Sequence, residues 1–192
     1  MKKILILAAA GLLSSAALAS TTNTNNLLNH LYVNGNLGLN MIGGAKNDYD
    51  TGWGLGVAVG RYITPHFRAE GAFNYLRNGT SNSSLDETID AHLNQYVFMA
   101  NGYYDFNSIN GFLPYAGGGL GIDHATSSVS SLGVIHGKVS GEGTNFAIQG
   151  IVGFDYPINK NVVLGANYHL MPVFASDTLF NNLINFSITY KF

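Results

Sequence analysis

The chain has 192 residues, of which 46% are hydrophobic and only 10% charged, with 11 acidic against 9 basic side chains. A protein that neutralises nucleic-acid phosphates has a basic excess, so nucleic-acid binding is not expected. The chain contains no cysteine, which excludes disulfides and thiolate chemistry. A soluble domain carries about 25% charged residues, and the low charge therefore points towards a membrane.

The first nineteen residues are typical of a cleaved export signal. Lys2 and Lys3 precede an apolar run from Ile4 to Leu13, and Ala17-Leu18-Ala19 supplies the small residues that a signal peptidase reads. The apolar run is shorter than the roughly 20 residues that a membrane-spanning helix needs. We predict cleavage before Ser20, which leaves residues 20–192 as a single mature domain.

Eight later segments alternate apolar and polar side chains with a period of two, which is typical of β-strands. They are Leu31–Met41, Gly52–Tyr62, Phe67–Leu76, Asn94–Phe106, Phe112–Asp123, Asn145–Tyr156, Val162–Met171 and Leu183–Phe192. Each reaches the roughly 9–11 residues of a tilted membrane strand. Their even number suits an antiparallel barrel with both termini on one side. The pattern predicts an all-β, eight-stranded antiparallel transmembrane β-barrel.

The polar faces of these segments are rich in Gly, Asn and Gln. Eight strands leave room inside for one layer of side chains, so we expect the polar faces to point inward and the apolar faces to contact lipid. A soluble β-sandwich or a lipocalin-like barrel is the alternative. It would bury the apolar face and expose a charged one, and the second face here has few charges.

The connections between segments fall into two length classes. Ile63–His66, Asn107–Gly111 and Pro157–Asn161 are short, whereas Ile42–Thr51, Arg77–Leu93, His124–Thr144 and Pro172–Asn182 are long. Short periplasmic turns opposite long extracellular loops are typical of outer-membrane barrels. We therefore predict this arrangement here.

The last segment carries apolar and aromatic residues at alternate positions up to its final residue. These are Ile184, Phe186, Ile188, Tyr190 and Phe192. The pattern resembles the C-terminal signal that the barrel-assembly machinery recognises in outer-membrane proteins. We predict that these five residues form a barrel-assembly signal.

Three further stretches resemble one known family. Gly52–Phe73 is a strand–turn–strand unit with Thr64-Pro65 in its turn, Leu113–Gly121 is similar to the family's fifth strand, and Gly150–Tyr168 contains Asn159-Lys160-Asn161 between strands. The family is that of eight-stranded outer-membrane β-barrels, which includes the OmpA transmembrane domain, OmpX/Ail-type proteins and opacity-type surface proteins. The resemblance implies a place in the bacterial outer membrane, among lipid and lipopolysaccharide. No peptidoglycan-binding domain follows in this sequence, so the cell-wall tethering of full-length OmpA is not implied.

Several charged residues fall on the predicted inner face. Arg68 and Glu70 project inward from the third segment, and other segments supply Asp105, Asp123, Asp155 and Lys191. Charges inside a narrow barrel must pair to offset their desolvation. The sequence leaves two interpretations of this network: a plug of paired charges in a closed barrel, which we favour, or a gate across a small pore.

Enzymatic chemistry finds little support in the sequence. His169 and Ser176 suggest the Ser–His pair of a lipid A-modifying enzyme, but a nucleophile needs a base within reach and an orienting group. We expect His169 to be an interior or rim hydrogen-bonding residue. Gly54-Leu55-Gly56 and Gly117-Gly118-Gly119 precede no helix that would complete a phosphate site. We expect these glycines to make room for bulky neighbours such as Tyr32 and Tyr115.

The sequence thus predicts a protein that is not an enzyme and has no cofactor. Its expected role is to contribute to envelope structure and to display surface loops, since loops on a rigid scaffold carry binding functions. Attachment to a host or surface ligand follows by analogy with OmpX/Ail-type relatives. The alternatives are a narrow diffusion channel and, less favoured, a lipid A-modifying enzyme.

Overall fold

The computed structural model describes residues 30–43, 50–84, 87–131, 138–175 and 178–192. The predicted signal peptide, and residues 20–29 of the predicted mature domain, lie outside these ranges. The eight strands are β1 (Leu31–Gly43), β2 (Gly52–Tyr62), β3 (Phe67–Ser84), β4 (Glu87–Asp105), β5 (Leu113–Ser131), β6 (Lys138–Pro157), β7 (Val162–Phe174) and β8 (Leu179–Lys191). Each pairs with its sequence neighbours in antiparallel fashion, and β1 pairs with β8 to close the barrel. The predicted fold class is confirmed.

One end of the barrel, here called the turn end, carries the three short connections. In the β2–β3 turn, Thr64 Oγ1 accepts the backbone N–H of Phe67 at 3.0 Å. Between β4 and β5, Asn110 and Gly111 have φ of 52° and 87° within a turn closed by the bridge from Ile109 to Phe112. Positive φ at both central residues is the reason for an Asn-Gly pair in a tight hairpin turn. The predicted short turns are confirmed.

The opposite end, here called the hairpin end, differs from the prediction. β3 and β4 pair as far as Ser84 and Glu87, and β5 and β6 as far as Ser130 and Lys138. The expected loops Arg77–Leu93 and His124–Thr144 are therefore mostly strand, and their assignment as loops was wrong. These stretches are rich in Ser, Thr and Gly, so the backbone pairing continues where the apolar stripe has ended. The remaining strand ends differ from the prediction by at most four residues, and both ends of β2 are as predicted.

The barrel wall has unequal height at the hairpin end. β4 and β5 stay paired up to Ile89 and Ser131, whereas β2 leaves β3 at the Trp53–Arg77 pair and β7 leaves β6 at the Phe146–Phe174 pair. The parts of β3, β4, β5 and β6 that extend beyond these pairs are called the projecting sheet below, and they comprise residues 78–84, 87–93, 124–131 and 138–145. They form one four-stranded unit on one side of the barrel.

The outer surface of the barrel is apolar, as the period-two pattern predicts. Phe186 and Leu120 are 71% and 60% exposed, which is consistent with contact to hydrocarbon rather than to water. Aromatic rings border this surface at both ends. At the turn end they include Phe67, Tyr104, Phe112, Tyr156, Tyr190 and Phe192, and at the hairpin end Trp53, Tyr75, Tyr96, Phe146 and Phe174. No helix in the described ranges is long and apolar enough to span a bilayer.

Glycines in the wall make space for the large interior side chains. A side-chain carbon at Gly60 would overlap the ring of Tyr32, and one at Gly153 would lie 2.7 Å from the Tyr115 ring. The sequence prediction named other glycines for these two tyrosines. Gly56 instead lies against Asn74 and Asn36, and Gly117 against Tyr103. Glycines do make room for bulky interior side chains, as predicted, but the predicted pairs of glycine and tyrosine were wrong. Partners across strands depend on a register that a single sequence does not reveal.

Candidate functional site

Arg68 forms the centre of an ion cluster in the turn-end half of the interior. Its Nε lies 3.1 Å from Asp105 Oδ1, and its Nη2 lies 3.4 Å from Asp155 Oδ2. The guanidinium carbon is 4.7 Å from the ring centre of Tyr103 and 4.5 Å from that of Tyr115. Two carboxylates and two ring faces therefore offset the burial of one cation.

Glu70 lies next to this cluster but makes no ion pair with Arg68. Its carboxylate accepts hydrogen bonds from Tyr103 Oη at 2.8 Å, Tyr32 Oη at 3.0 Å and Asn101 Nδ2 at 3.2 Å. Gln149 Nε2 then donates to Asn101 Oδ1 at 2.6 Å. Sequence reasoning missed the tyrosines as partners of the charges, although their positions on the glycine-rich inner face were a usable signal.

Of the two other residues of the predicted network, Lys191 borders the ion cluster and Asp123 lies apart from it. Lys191 Nζ stands 4.9 Å from the ring centre of Tyr62, and Lys191 lines a cavity of about 250 Å³ at the turn-end mouth together with Asp105 and Asp155. Asp123 is fully buried on β5, where its Oδ2 accepts a 3.1 Å hydrogen bond from Gln95 Nε2. Neither residue makes an ion pair with another described residue.

The hairpin-end half of the interior contains an apolar cluster, which the sequence analysis did not predict. The residues that pack there, called the apolar layer below, are Leu76, Val97, Met99, Ala147, Met171, Val173 and Leu183. Several lie between two outward-facing aromatic or apolar residues, as Val97 does between Tyr96 and Phe98. Such stretches are apolar on both faces, so alternation does not reveal which face is inside.

Buried polar groups lie on either side of this layer, and Asp123 stands directly opposite its residue Val97. A cavity of about 30 Å³ lies among Glu70, Asn74, Asn101 and His169, enough for about two waters. Near the hairpin-end rim, Asn40 Nδ2 donates to Asn78 Oδ1 at 2.7 Å and to Asn181 Oδ1 at 2.9 Å. These buried amides join β1, β3 and β8, and sequence reasoning missed them as well.

The residues considered for catalysis and metal binding do not form a site in the described ranges. His169 points into the interior and lines the small cavity, without a hydrogen bond to another described residue. Ser176 lies outside the described residues. Among those that are described, no group of three His, Cys, Asp or Glu side chains is arranged to hold a metal ion.

The amino-acid sequence of the chain is similar to those of known outer-membrane proteins. A family model described as "Outer membrane protein beta-barrel domain" matches residues 5–192. Outer membrane protein PagN of Salmonella typhimurium is 34% identical over 75 residues, which cover 38% of this chain and 31% of PagN. The chain thus matches less than a third of the length of this curated relative.

Structural comparison gives the same fold. Neisserial surface protein A aligns with a TM-score of 0.64 at 19% identity, over 84% of this chain and 97% of its own. Ail of Yersinia pestis, in complex with the heparin analogue sucrose octasulfate, aligns with a TM-score of 0.56 at 14% identity, over 84% and 98%. OprG of Pseudomonas aeruginosa aligns with a TM-score of 0.52 at 14% identity, over 85% and 97%. At such identities the likeness concerns the fold alone.

Proposed function

The chain belongs to the outer membrane protein β-barrel domain family, and we propose that it is a closed, non-enzymatic barrel that contributes to envelope structure and presents the projecting sheet for attachment. In outer-membrane barrels the short turns face the periplasm and the long connections face outward. The turn end is therefore periplasmic, and the hairpin end faces the outside of the cell. Binding at the cell surface then falls to the segments of the hairpin end.

The projecting sheet is the observation that carries this proposal. Its four strands remain paired beyond the point where β2 and β7 end, so the two hairpins act as one platform instead of two independent loops. A platform that is already ordered loses less conformational entropy when it binds. This favours a role in recognition over a role as a mere connection between strands.

The charge of the outward segments narrows the chemistry of the ligand. By sequence these segments contain the acidic residues Asp48, Asp50, Asp86, Glu87, Asp90, Glu142 and Asp177, against the basic residues Lys46, Arg77 and Lys138. A surface with this excess of negative charge repels polyanions. The heparin analogue bound by Ail is therefore a poor guide to this chain, and we infer a neutral or basic protein surface as the ligand.

The interior supports the closed form over the rival function of a narrow diffusion channel. A channel requires a continuous polar path, whereas the apolar layer interrupts the polar inner face of β3, where Leu76 lies between Asn74 and Asn78. The other rival, a lipid A-modifying enzyme, depends on Ser176 as the nucleophile. The mass spectrum of lipid A from cells with and without the protein tests it, and an unchanged spectrum supports the non-enzymatic proposal.

Replacing the tips of the projecting sheet tests the attachment role. In one variant a two-residue Asn-Gly turn replaces residues 80–91 between the paired Gly79 and His92, and in another it replaces residues 127–141 between the paired Thr126 and Glu142. The matched control places the same turn between Phe174 and Leu179 on the low side of the wall. Bacteria that display the proteins are scored for adherence to host cells and, in a separate assay, for binding of labelled heparin.

We expect either replacement in the projecting sheet to reduce adherence and the control to retain it, and we expect heparin binding no greater than that of cells without the protein. The change in gel mobility of a folded barrel upon boiling verifies that each variant folds. Undiminished adherence in both truncated variants contradicts the proposed role of the sheet. Heparin binding that requires the protein and is lost with the projecting sheet contradicts the inferred ligand chemistry.

A further inference from the structure

Arg77 is a charged residue on the lipid-facing side of the wall. Leu76 and Asn78 on either side of it are buried in the interior, so the Arg77 side chain points outward, where it is exposed. It lies directly opposite Trp53 on β2 and directly opposite Asn94 on β4. Among the described residues it has no carboxylate partner, although a lone charge next to hydrocarbon is costly.

The aromatic residues beside Arg77 fix its depth in the membrane. Trp53 and Tyr75 have ring centres 5.6 Å apart, and Tyr75 and Tyr96 have ring centres 5.3 Å apart. Such belts mark the boundary between hydrocarbon and headgroups. Arg77 follows Tyr75 by two residues on the same face of β3, which places it about 7 Å further along the strand in the direction of the outside. Its guanidinium therefore lies at the headgroup level of the outer leaflet.

Asn94 supplies a second donor at the same level. Tyr75 Oη donates a 2.8 Å hydrogen bond to Asn94 Oδ1, which orients the amide and leaves its Nδ2 without a partner among the described contacts. Residues directly opposite on neighbouring strands have Cβ atoms about 5 Å apart. A guanidinium and an amide N–H on side chains whose Cβ atoms are this close can bind one phosphate group, whose oxygens accept hydrogen bonds from both donors.

We propose that Arg77 and Asn94 form a binding site for a phosphate group of lipid A in the outer leaflet. Arg61 provides an internal comparison, because it also points outward between inward-facing neighbours but lies at the turn end. Its cross-strand partners are Leu31 and Ala69, neither of which has a polar side chain. The site thus depends on the combination of arginine, amide and aromatic belt rather than on an outward arginine alone.

Trp53 provides a direct measurement, since it is the chain's single tryptophan and lies opposite Arg77. The folded protein in uncharged detergent micelles is titrated with diphosphorylated lipid A, and Trp53 emission is followed. We expect saturable binding that Arg77→Gln weakens about tenfold, as the loss of a charge-assisted hydrogen bond implies. Asn94→Ala is expected to weaken it by a smaller factor, and the control Arg61→Gln to leave it unchanged.

Three further titrations identify the ligand. Dephosphorylated lipid A, phosphatidylglycerol and inorganic phosphate are added separately, and we expect each to bind more weakly than diphosphorylated lipid A. Gel mobility before and after boiling verifies that every variant is folded. Equal weakening by Arg77→Gln and Arg61→Gln overturns the site. Equally tight binding of dephosphorylated lipid A overturns the phosphate as its ligand.

Discussion

The guanidinium of Arg68 lies face-on to the ring of Tyr115, with its central carbon 4.5 Å from the ring centre. The same guanidinium joins Asp105 to Asp155. Replacing Arg68 by Ala leaves two carboxylates in the interior without their cation. We expect this change to destabilise the barrel by about 3 kcal/mol, in the range measured for broken buried ion pairs. Urea unfolding of the protein refolded in lipid vesicles measures the loss.

A charge-neutral combination separates lost pairing from lost packing. Arg68→Met together with Asp105→Asn and Asp155→Asn removes all three charges while keeping similar side-chain volumes. We expect this triple variant to recover most of the stability, because none of the three residues that formed the ion pairs carries a charge any longer. If the triple variant is as unstable as Arg68→Ala, stacking on the tyrosines and not charge pairing explains the role of Arg68.

The contact between Gly60 and Tyr32 predicts a second effect on stability. An Ala side chain at Gly60 would overlap the Tyr32 ring, so Gly60→Ala is expected to cost about 1–3 kcal/mol, as overpacking does. Gly71 is the matched control, since a side-chain carbon there meets nothing within 4 Å. Gly71→Ala is expected to be neutral or slightly stabilising, because it restricts the unfolded chain. Equal urea midpoints for the two variants would show that the wall does not constrain Tyr32.

The predictable part of the fold is the part where the two faces of a strand differ. β2 was predicted with its observed ends, because Trp53, Leu55 and Val57 alternate with glycine and alanine. The alternation disappears in the Ser- and Thr-rich extensions of β3 to β6 and in the apolar layer, where residues such as Val97 have apolar neighbours on both sides. In both regions strand pairing depends on backbone hydrogen bonds with the neighbouring strand. These bonds do not depend on side-chain type, so the sequence of one strand does not predict them.

The candidate site was predictable residue by residue but not as an arrangement. Inward positions follow from parity along a strand, which is how Arg68 and Glu70 were identified. Which inward residues meet depends on the stagger between strands around the barrel. The stagger brings Asp105 and Asp155 to Arg68, directs Glu70 to the tyrosines, and leaves Asp123 with Gln95.

The apolar layer predicts the behaviour of the barrel in planar bilayers. We expect no steady conductance from the wild-type protein, and none from Glu70→Ala, because removing a charge in the turn-end half leaves the layer intact. A porin in the same membrane serves as the positive control. A steady current that Arg68→Ala or Glu70→Ala alters would instead support the interpretation of these residues as a gate across a pore.

The C-terminal row predicts a defect in assembly rather than in stability. Ile184, Phe186, Ile188, Tyr190 and Phe192 all point outward, with Phe192 57% exposed, so they are accessible on the lipid-facing surface of β8 and at its end. Phe106 is the matched control, since it is an aromatic residue at the same end of the barrel and is 48% exposed. If the assembly machinery recognises these five residues, Phe192→Ala is expected to lower the amount of heat-modifiable barrel in the outer membrane severalfold. Phe106→Ala is expected to lower that amount much less. Each variant removes one ring that is about half exposed, so each loses little buried surface. Both are therefore expected to refold from urea in detergent with similar midpoints. A parallel loss of refolding and of assembly in Phe192→Ala would show that its ring stabilises the barrel itself and is not a recognition signal.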